Sequence, residues 1–229
     1  MKKPLSAFLY QHRHCAILSY FIIYLAWFCY LERTVRPAYW IHSWLDDLIP
    51  FQELFVIPYL FWFFYVGIAI AFFLRRSPEE YYRLCAFLFT GMTLCLTIYT
   101  FFPNGHHLRP WSFPRMNVFS EIVRIIYSVD SCTNVDPSIH VLNSLGVHIA
   151  VWRSEVLKDK KWVRYGSLVA CILICMSTVF LKQHSVEDVA AACVVAVPLY
   201  WMAYRFDWSP VLERLRAARR ERRERVKAE

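Results

Sequence analysis

The sequence predicts an all-α, polytopic membrane protein with six transmembrane helices and short interfacial helices. Three observations predict it. Of 229 residues, 58% are hydrophobic and 19% charged, where a soluble domain has roughly 45–50% apolar and about 25% charged residues. The apolar residues gather into runs approaching or reaching the roughly 20 residues that cross a bilayer. The basic residues between those runs are biased to one side.

An N-terminal arm, 1–14, precedes the first span at 15–31. That run is too long and aromatic for a cleaved signal peptide, and Glu32 and Arg33 follow it rather than a small-residue cleavage site. Segment 41–53 mixes Trp44, Ile49 and Phe51 with polar groups and is expected to be an interfacial helix, with no catalytic role for Asp46 or Asp47. The second and third spans are expected at 54–74 and 84–102, where Gly91 suits close helix packing. In the loop 103–136, VFSEIVRIIYSV has the apolar spacing of a helix lying on the outer surface.

The fourth span, 137–152, is short and carries Ser138, His140, Asn143, Ser144 and His148. It is read as a crossing because the basic Arg153–Arg164 loop follows and parity requires one. The fifth and sixth spans fall at 165–181 and 187–204. No linker rich in proline, glycine or serine divides this domain, 15–204. The tail, 205–229, interleaves basic residues with glutamates and is expected to be a solvated helix near anionic lipid. Most of the eight cysteines lie in apolar runs and no CxxC pair occurs, so they read as small apolar side chains.

With the N-terminus placed in the cytoplasm, the arm, the Arg75–Arg83 loop, the Arg153–Arg164 loop and the tail hold 20 of the 26 basic residues. Both termini are then cytoplasmic. The opposite face is periplasmic or extracellular, or lumenal in a eukaryote. The net charge of +8 is a topology signal, and no nucleic-acid partner is expected.

Three polar segments fall on that opposite face: Arg109-Pro110, Asp136-Pro137-Ser138-Ile139-His140, and Lys182 through Asp188. His184 and Asp188 are four apart, hence on one face if the sixth helix begins near Gln183. The carboxylate would fix the imidazole tautomer and leave Nε2 as a nucleophile. The start of that helix would favour a phosphate. Asp136 reads as an N-cap and Pro137 as the first helical residue, which puts His140 one turn in, where it can protonate a leaving oxygen. Arg109 offers a planar fork for phosphate oxygens. Together these groups suit phosphoryl transfer through a phosphohistidine. No carboxylate cluster suits a metal, and no cofactor is expected.

These segments resemble the signature of the type 2 phosphatidic acid phosphatase superfamily, nearest its inositol phosphorylceramide synthase-like branch. The superfamily pattern is Lys-x6-Arg-Pro, then Pro-Ser-Gly-His, then Ser-Arg-x5-His-x3-Asp. Here it reads Arg109-Pro110, Pro137-Ser138-Ile139-His140, and Ser177-Thr178-x5-His184-x3-Asp188, over about residues 99–200. The resemblance implies that His184 is the nucleophile, Asp188 its orienting group and His140 the general acid and base. Arg109 and Ser138 would hold phosphate oxygens, and Lys182 and Thr178 are further candidates for binding the substrate phosphate. Phe102, Ile139 and Thr178 depart from the pattern and remove two cationic groups. Lys182 is expected to replace one of them, and His106 or His107 can help if protonated.

The leading expectation is a metal-independent lipid phosphatase acting on a phospholipid, lipid phosphate or polyprenyl diphosphate. The alternative is a phosphotransferase that moves a phospho-headgroup to a lipid alcohol. An inactive family member or a lipid transporter are further readings.

Overall fold

A computed structural model of the chain describes residues 13–208. Most of the N-terminal arm and the tail beyond 208, with the helix expected there, lie outside the described residues. A 3₁₀ turn at Arg13–Ser19 leads into α1 (Tyr20–Thr34). There follow α2 (Trp44–Leu48), α3 (Val56–Arg76), α4 (Pro78–Phe101), α5 (Val118–Val129), α6 (Ile139–Arg153), α7 (Lys161–Phe180) and α8 (Val186–Tyr200). Two short strands, β1 (Tyr39–Trp40) and β2 (Asn104–Gly105), pair in parallel, with Tyr39 opposite Asn104.

Among the described residues, five helices are long and apolar enough to cross a membrane: Cys15–Thr34, Glu53–Arg76, Pro78–Phe101, Lys161–Phe180 and Val186–Arg205. Large apolar side chains such as Ile22, Phe64, Ile68 and Val194 point outward and are exposed. A helical bundle with an apolar exterior suits a hydrocarbon solvent, because each helix satisfies its own backbone polar groups.

The expected fourth span is α6, a 15-residue helix. At 1.5 Å per residue it is about 22 Å long, short of the roughly 30 Å hydrocarbon core. It occupies the centre of the bundle, packed against α3, α4, α7 and α8. Leu142, Asn143, Ser144, Gly146 and Val147 are buried there, so its polar residues meet protein. Close packing with α4 depends on Gly146, where a Cβ would lie 2.5 Å from the Phe87 ring.

Other boundaries shift for local reasons. Helix α4 begins six residues earlier than expected: Ser77 accepts the Glu80 N–H and Pro78 occupies the first turn. The interfacial helix expected over 41–53 shrinks to the five residues of α2, because Pro50 holds Ile49 in extended backbone. Helix α5 forms as expected and buries Val123 against Val56, Tyr59 and Leu181. All eight cysteines are free thiols.

Helix ends converge at one pole of the bundle. The Ser131 N–H and hydroxyl both donate to Glu32, near the end of α1, at 3.2 and 2.6 Å. A bridge between Gly105 and Thr133 ties the loops together. A Cβ on Gly105 would stand 2.6 Å from the Cys132 carbonyl, so glycine is required at that approach.

Candidate active site

Helix α7 ends at Phe180, and the chain turns through Lys182, whose φ is +53°. The Gln183 and His184 N–H groups both donate to the Thr178 carbonyl, at 2.9 and 3.1 Å. His184 is therefore not on α8, as the expected helix start near Gln183 required. Ser185 is the N-cap, its Oγ accepting the Glu187 N–H at 3.1 Å. Asp188, three residues on, completes a capping box by accepting the Ser185 N–H at 2.9 Å. The same Asp188 oxygen lies 3.0 Å from His184 Nδ1. With Asp188 ionised it only accepts, so Nδ1 carries the proton and Nε2 the lone pair.

His184 is 7% exposed. Burial drives its pKa down to about 3 and the Arg109 charge adds to this, against the nearby Val135 backbone, which favours the charged ring. The ring is thus neutral near pH 7.

The start of α8 is already occupied by an anion. Asp46, 1% exposed, accepts the Ser185 hydroxyl at 2.6 Å and the Val186 N–H at 2.9 Å. Its carbonyl accepts Lys182 Nζ at 2.6 Å. A phosphate site at this helix start, expected from sequence, is therefore filled by the protein's own carboxylate.

Helix α6 begins beside α8, and Ser138 rather than Asp136 caps it. The Asp136 backbone is held at both groups by Asn104: Oδ1 accepts its N–H and Nδ2 donates to its carbonyl, each at 2.9 Å. Asn104 Oδ1 also accepts the Val135 N–H at 2.9 Å. Ser138 is wholly buried; its N–H donates to the Asp188 carbonyl at 3.2 Å and its Oγ lies 3.4 Å from the Val141 nitrogen. Two residues on, His140 sits with its ring centroid 5.9 Å from that of His184, inclined at 60°. Tyr59 stacks on the His140 ring at 4.7 Å, and Trp62 lies 4.4 Å away.

Arg109 donates to the carbonyls of Tyr127, Asp130 and Ser131 and to Gln183 Oε1, at 2.5–3.1 Å. Its Nε is buried without a partner. The guanidinium thus ties the end of α5 to the residue preceding His184. The Thr178 hydroxyl donates to Cys175 at 2.8 Å, inside α7. Phe102 is exposed beside Tyr39.

His106 is fully buried. The Leu108 N–H donates to its Nδ1 at 3.1 Å, so Nε2 carries the proton toward the Gln183 carbonyl, 2.9 Å away. Burial pushes its pKa down to about 4, so it does not supply the cation considered from sequence. His107 is exposed and stacks on Trp40 at 3.8 Å.

His184, Asp188, His140 and Ser138 thus meet at one pole. Arg109, Lys182 and Thr178 surround the loop that carries His184 and donate to protein carbonyls. Sequence reasoning passed over Asn104, Gln183 and Tyr59. It also left Asp46 without a part, although Ser43-x-x-Asp46 has the spacing of a capping box, and the Ser43 N–H does donate to Asp46 at 2.9 Å. Among the described residues, no group of three or more histidine, cysteine or acidic side chains is arranged to hold a metal ion. Comparison with family models, curated proteins and solved structures finds no match.

Proposed function

We propose that the protein is an integral membrane phosphoryl-transfer enzyme that hydrolyses a lipid-linked phosphate or diphosphate through a phosphohistidine at His184. The observation that carries this reading is the His184–Asp188 pair at 3.0 Å with the His140 ring 5.9 Å away. On this reading the chain makes six crossings, α6 being the shortest, with both termini cytoplasmic and the site on the opposite face. The resemblance to the type 2 phosphatidic acid phosphatase superfamily supports the same roles.

His184 Nε2 attacks phosphorus, and the bond to the lipid oxygen breaks as His140, which enters the step as an imidazolium carrying a proton taken up with the anionic substrate, protonates that oxygen. Water then attacks the phosphohistidine and gives a proton to His140, and phosphate leaves with both histidines restored. Asp188 holds the Nδ1 proton and stabilises the charge that develops on the ring. The phosphate oxygens are met by the buried Nε–H of Arg109 and the spare ammonium protons of Lys182.

The Tyr59 and Trp62 rings against His140 favour a second reading, in which a lipid alcohol replaces water as acceptor. Apolar ring faces exclude water from the base. One assay tests both. Purified wild type and His184→Ala are given phospholipids, lipid phosphates and polyprenyl diphosphate, with and without a lipid alcohol. Phosphate release that His184→Ala lacks supports hydrolysis, and a new phospholipid formed only with the alcohol supports transfer. Equal background turnover by both proteins counts against both.

A further inference from the structure

A groove of about 600 Å³ opens between α3, α6 and α7, on the half of the bundle away from His184. Phe61, Phe72, Val147, Val151 and Ala170 form its walls, and its one charged lining residue is Lys160. The hydroxyls of Tyr65 and Ser167 in its lining pair with each other, and Ser167 is also met by His148 from outside the lining. Tyr65 Oη lies 2.6 Å from Ser167 Oγ, and His148 Nδ1 lies 3.3 Å from the same oxygen. An occupant of the groove therefore meets an apolar surface.

The surroundings of Lys160 identify that occupant. Lys160 stands beside Lys161 and Trp162, the latter 77% exposed. Nearby, Tyr165 packs on Trp152 with centroids 5.9 Å apart, and Arg164 covers Trp152 at 4.4 Å. Aromatic and cationic side chains gathered at one end of a span mark the headgroup boundary. Between Arg153 and Arg164 the chain carries five basic residues against Glu155 and Asp159. Glu155 is already paired with Lys158, at 3.5 Å.

We infer that the groove is a binding site for an anionic phospholipid, one acyl chain lying between α3 and α7 and the phosphate against Lys160. A zwitterionic lipid matches the walls but not the excess of positive charge at the mouth. The site rests on placement of the bundle in a membrane and is independent of the phosphoryl-transfer reading. It bears on the seam between α3, which carries Tyr59 and Trp62, and α7, which runs into the nucleophile loop.

Gly166 makes the site testable. It lines the groove, and a Cβ there would have no heavy atom within 4 Å. A large side chain at 166 fills the groove without displacing its walls. The full chain in detergent is titrated with phosphatidylglycerol or phosphatidylcholine, and bound lipid is counted by native mass spectrometry. Wild type is expected to retain one phosphatidylglycerol, at least about fivefold more tightly than phosphatidylcholine. Gly166→Phe loses that lipid and Gly166→Ala keeps it. Lys160→Gln still binds lipid, but its preference for phosphatidylglycerol falls about fivefold. Equal retention of the two lipids by wild type, or undiminished phosphatidylglycerol on Gly166→Phe, overturns the inference. Should Gly166→Phe not elute as wild type does, the exposed Lys160→Gln decides alone: an unchanged lipid preference there overturns it.

Discussion

Asp46 and Ser185 stand 139 residues apart in the chain and share a 2.6 Å hydrogen bond at the start of α8. The bond fastens an external one-turn helix to the residue that follows His184. The position of the proposed nucleophile is thus set by a carboxylate that need never touch substrate.

Asp46→Asn replaces one accepting oxygen with an amide donor and leaves a buried hydroxyl or N–H without its partner. The expected cost is about 1–3 kcal/mol, read as a lower melting temperature in detergent. Turnover falls further than the unfolded fraction explains, because the His184 loop loosens. Asp47→Asn, at an exposed carboxylate paired with His42, is the control and leaves both quantities unchanged.

Asp188→Asn keeps the shape of the His184 partner but presents an amide that favours the other imidazole tautomer. Turnover is expected to fall about 10²- to 10⁴-fold. His184→Ala is expected to abolish formation of the proposed phosphoenzyme. Acid quench and detection of protein-bound phosphate separate the two, since Asp188→Asn still forms it slowly.

Asn104→Ala strands the N–H groups of Val135 and Asp136 and frees the Asp136 carbonyl. The predicted loss is several kcal/mol, at about 1–3 kcal/mol for each buried group left unpaired. Asn104→Asp keeps the acceptor for both N–H groups and loses only the donors. Its melting temperature is therefore expected between those of wild type and the alanine variant.

The pH dependence of stability has a traceable contribution from His106. Its folded pKa, pushed down by burial to about 4, lies below the roughly 6.5 of an unfolded histidine. Between those values the unfolded chain binds more protons, so this group lowers stability as pH falls from about 6.5 to 4. Asp130, raised to about 6 mainly by burial, acts in the opposite sense over much of that range. His106→Gln is therefore judged against wild type at each pH. Its melting temperature relative to wild type rises on going from pH 8 to pH 4.5, and a constant difference would show that His106 does not titrate in this way.

Hydropathy made most of the bundle legible, because Phe64, Ile68 and their neighbours form uninterrupted apolar runs. Helix α6 was legible only through the charges that follow it: its Asn143 and Ser144 are covered by neighbouring helices, which no local pattern records. The His184–Asp188 contact was expected from a shared helix face, yet it arises from a capping box that reaches back past Ser185. Asn104 and Asp46 escaped notice because they act on Val135, Asp136, Ser185 and Val186, far along the chain. Such pairings are set by loop closure at the pole of the bundle, where no periodicity exists to read.

The short central helix also bears on biogenesis. A segment as polar as α6 gains little by partitioning into lipid alone, and the face that carries Gly146 packs against Phe87 and Leu88 of α4. If α6 crosses as proposed, its entry into a bilayer depends on being made after α4 and on the prompt arrival of α7 and α8, against which it packs. A chain interrupted after Arg153 would lack α7 and α8, against which α6 packs in the finished bundle, and would leave polar side chains of α6 without that cover.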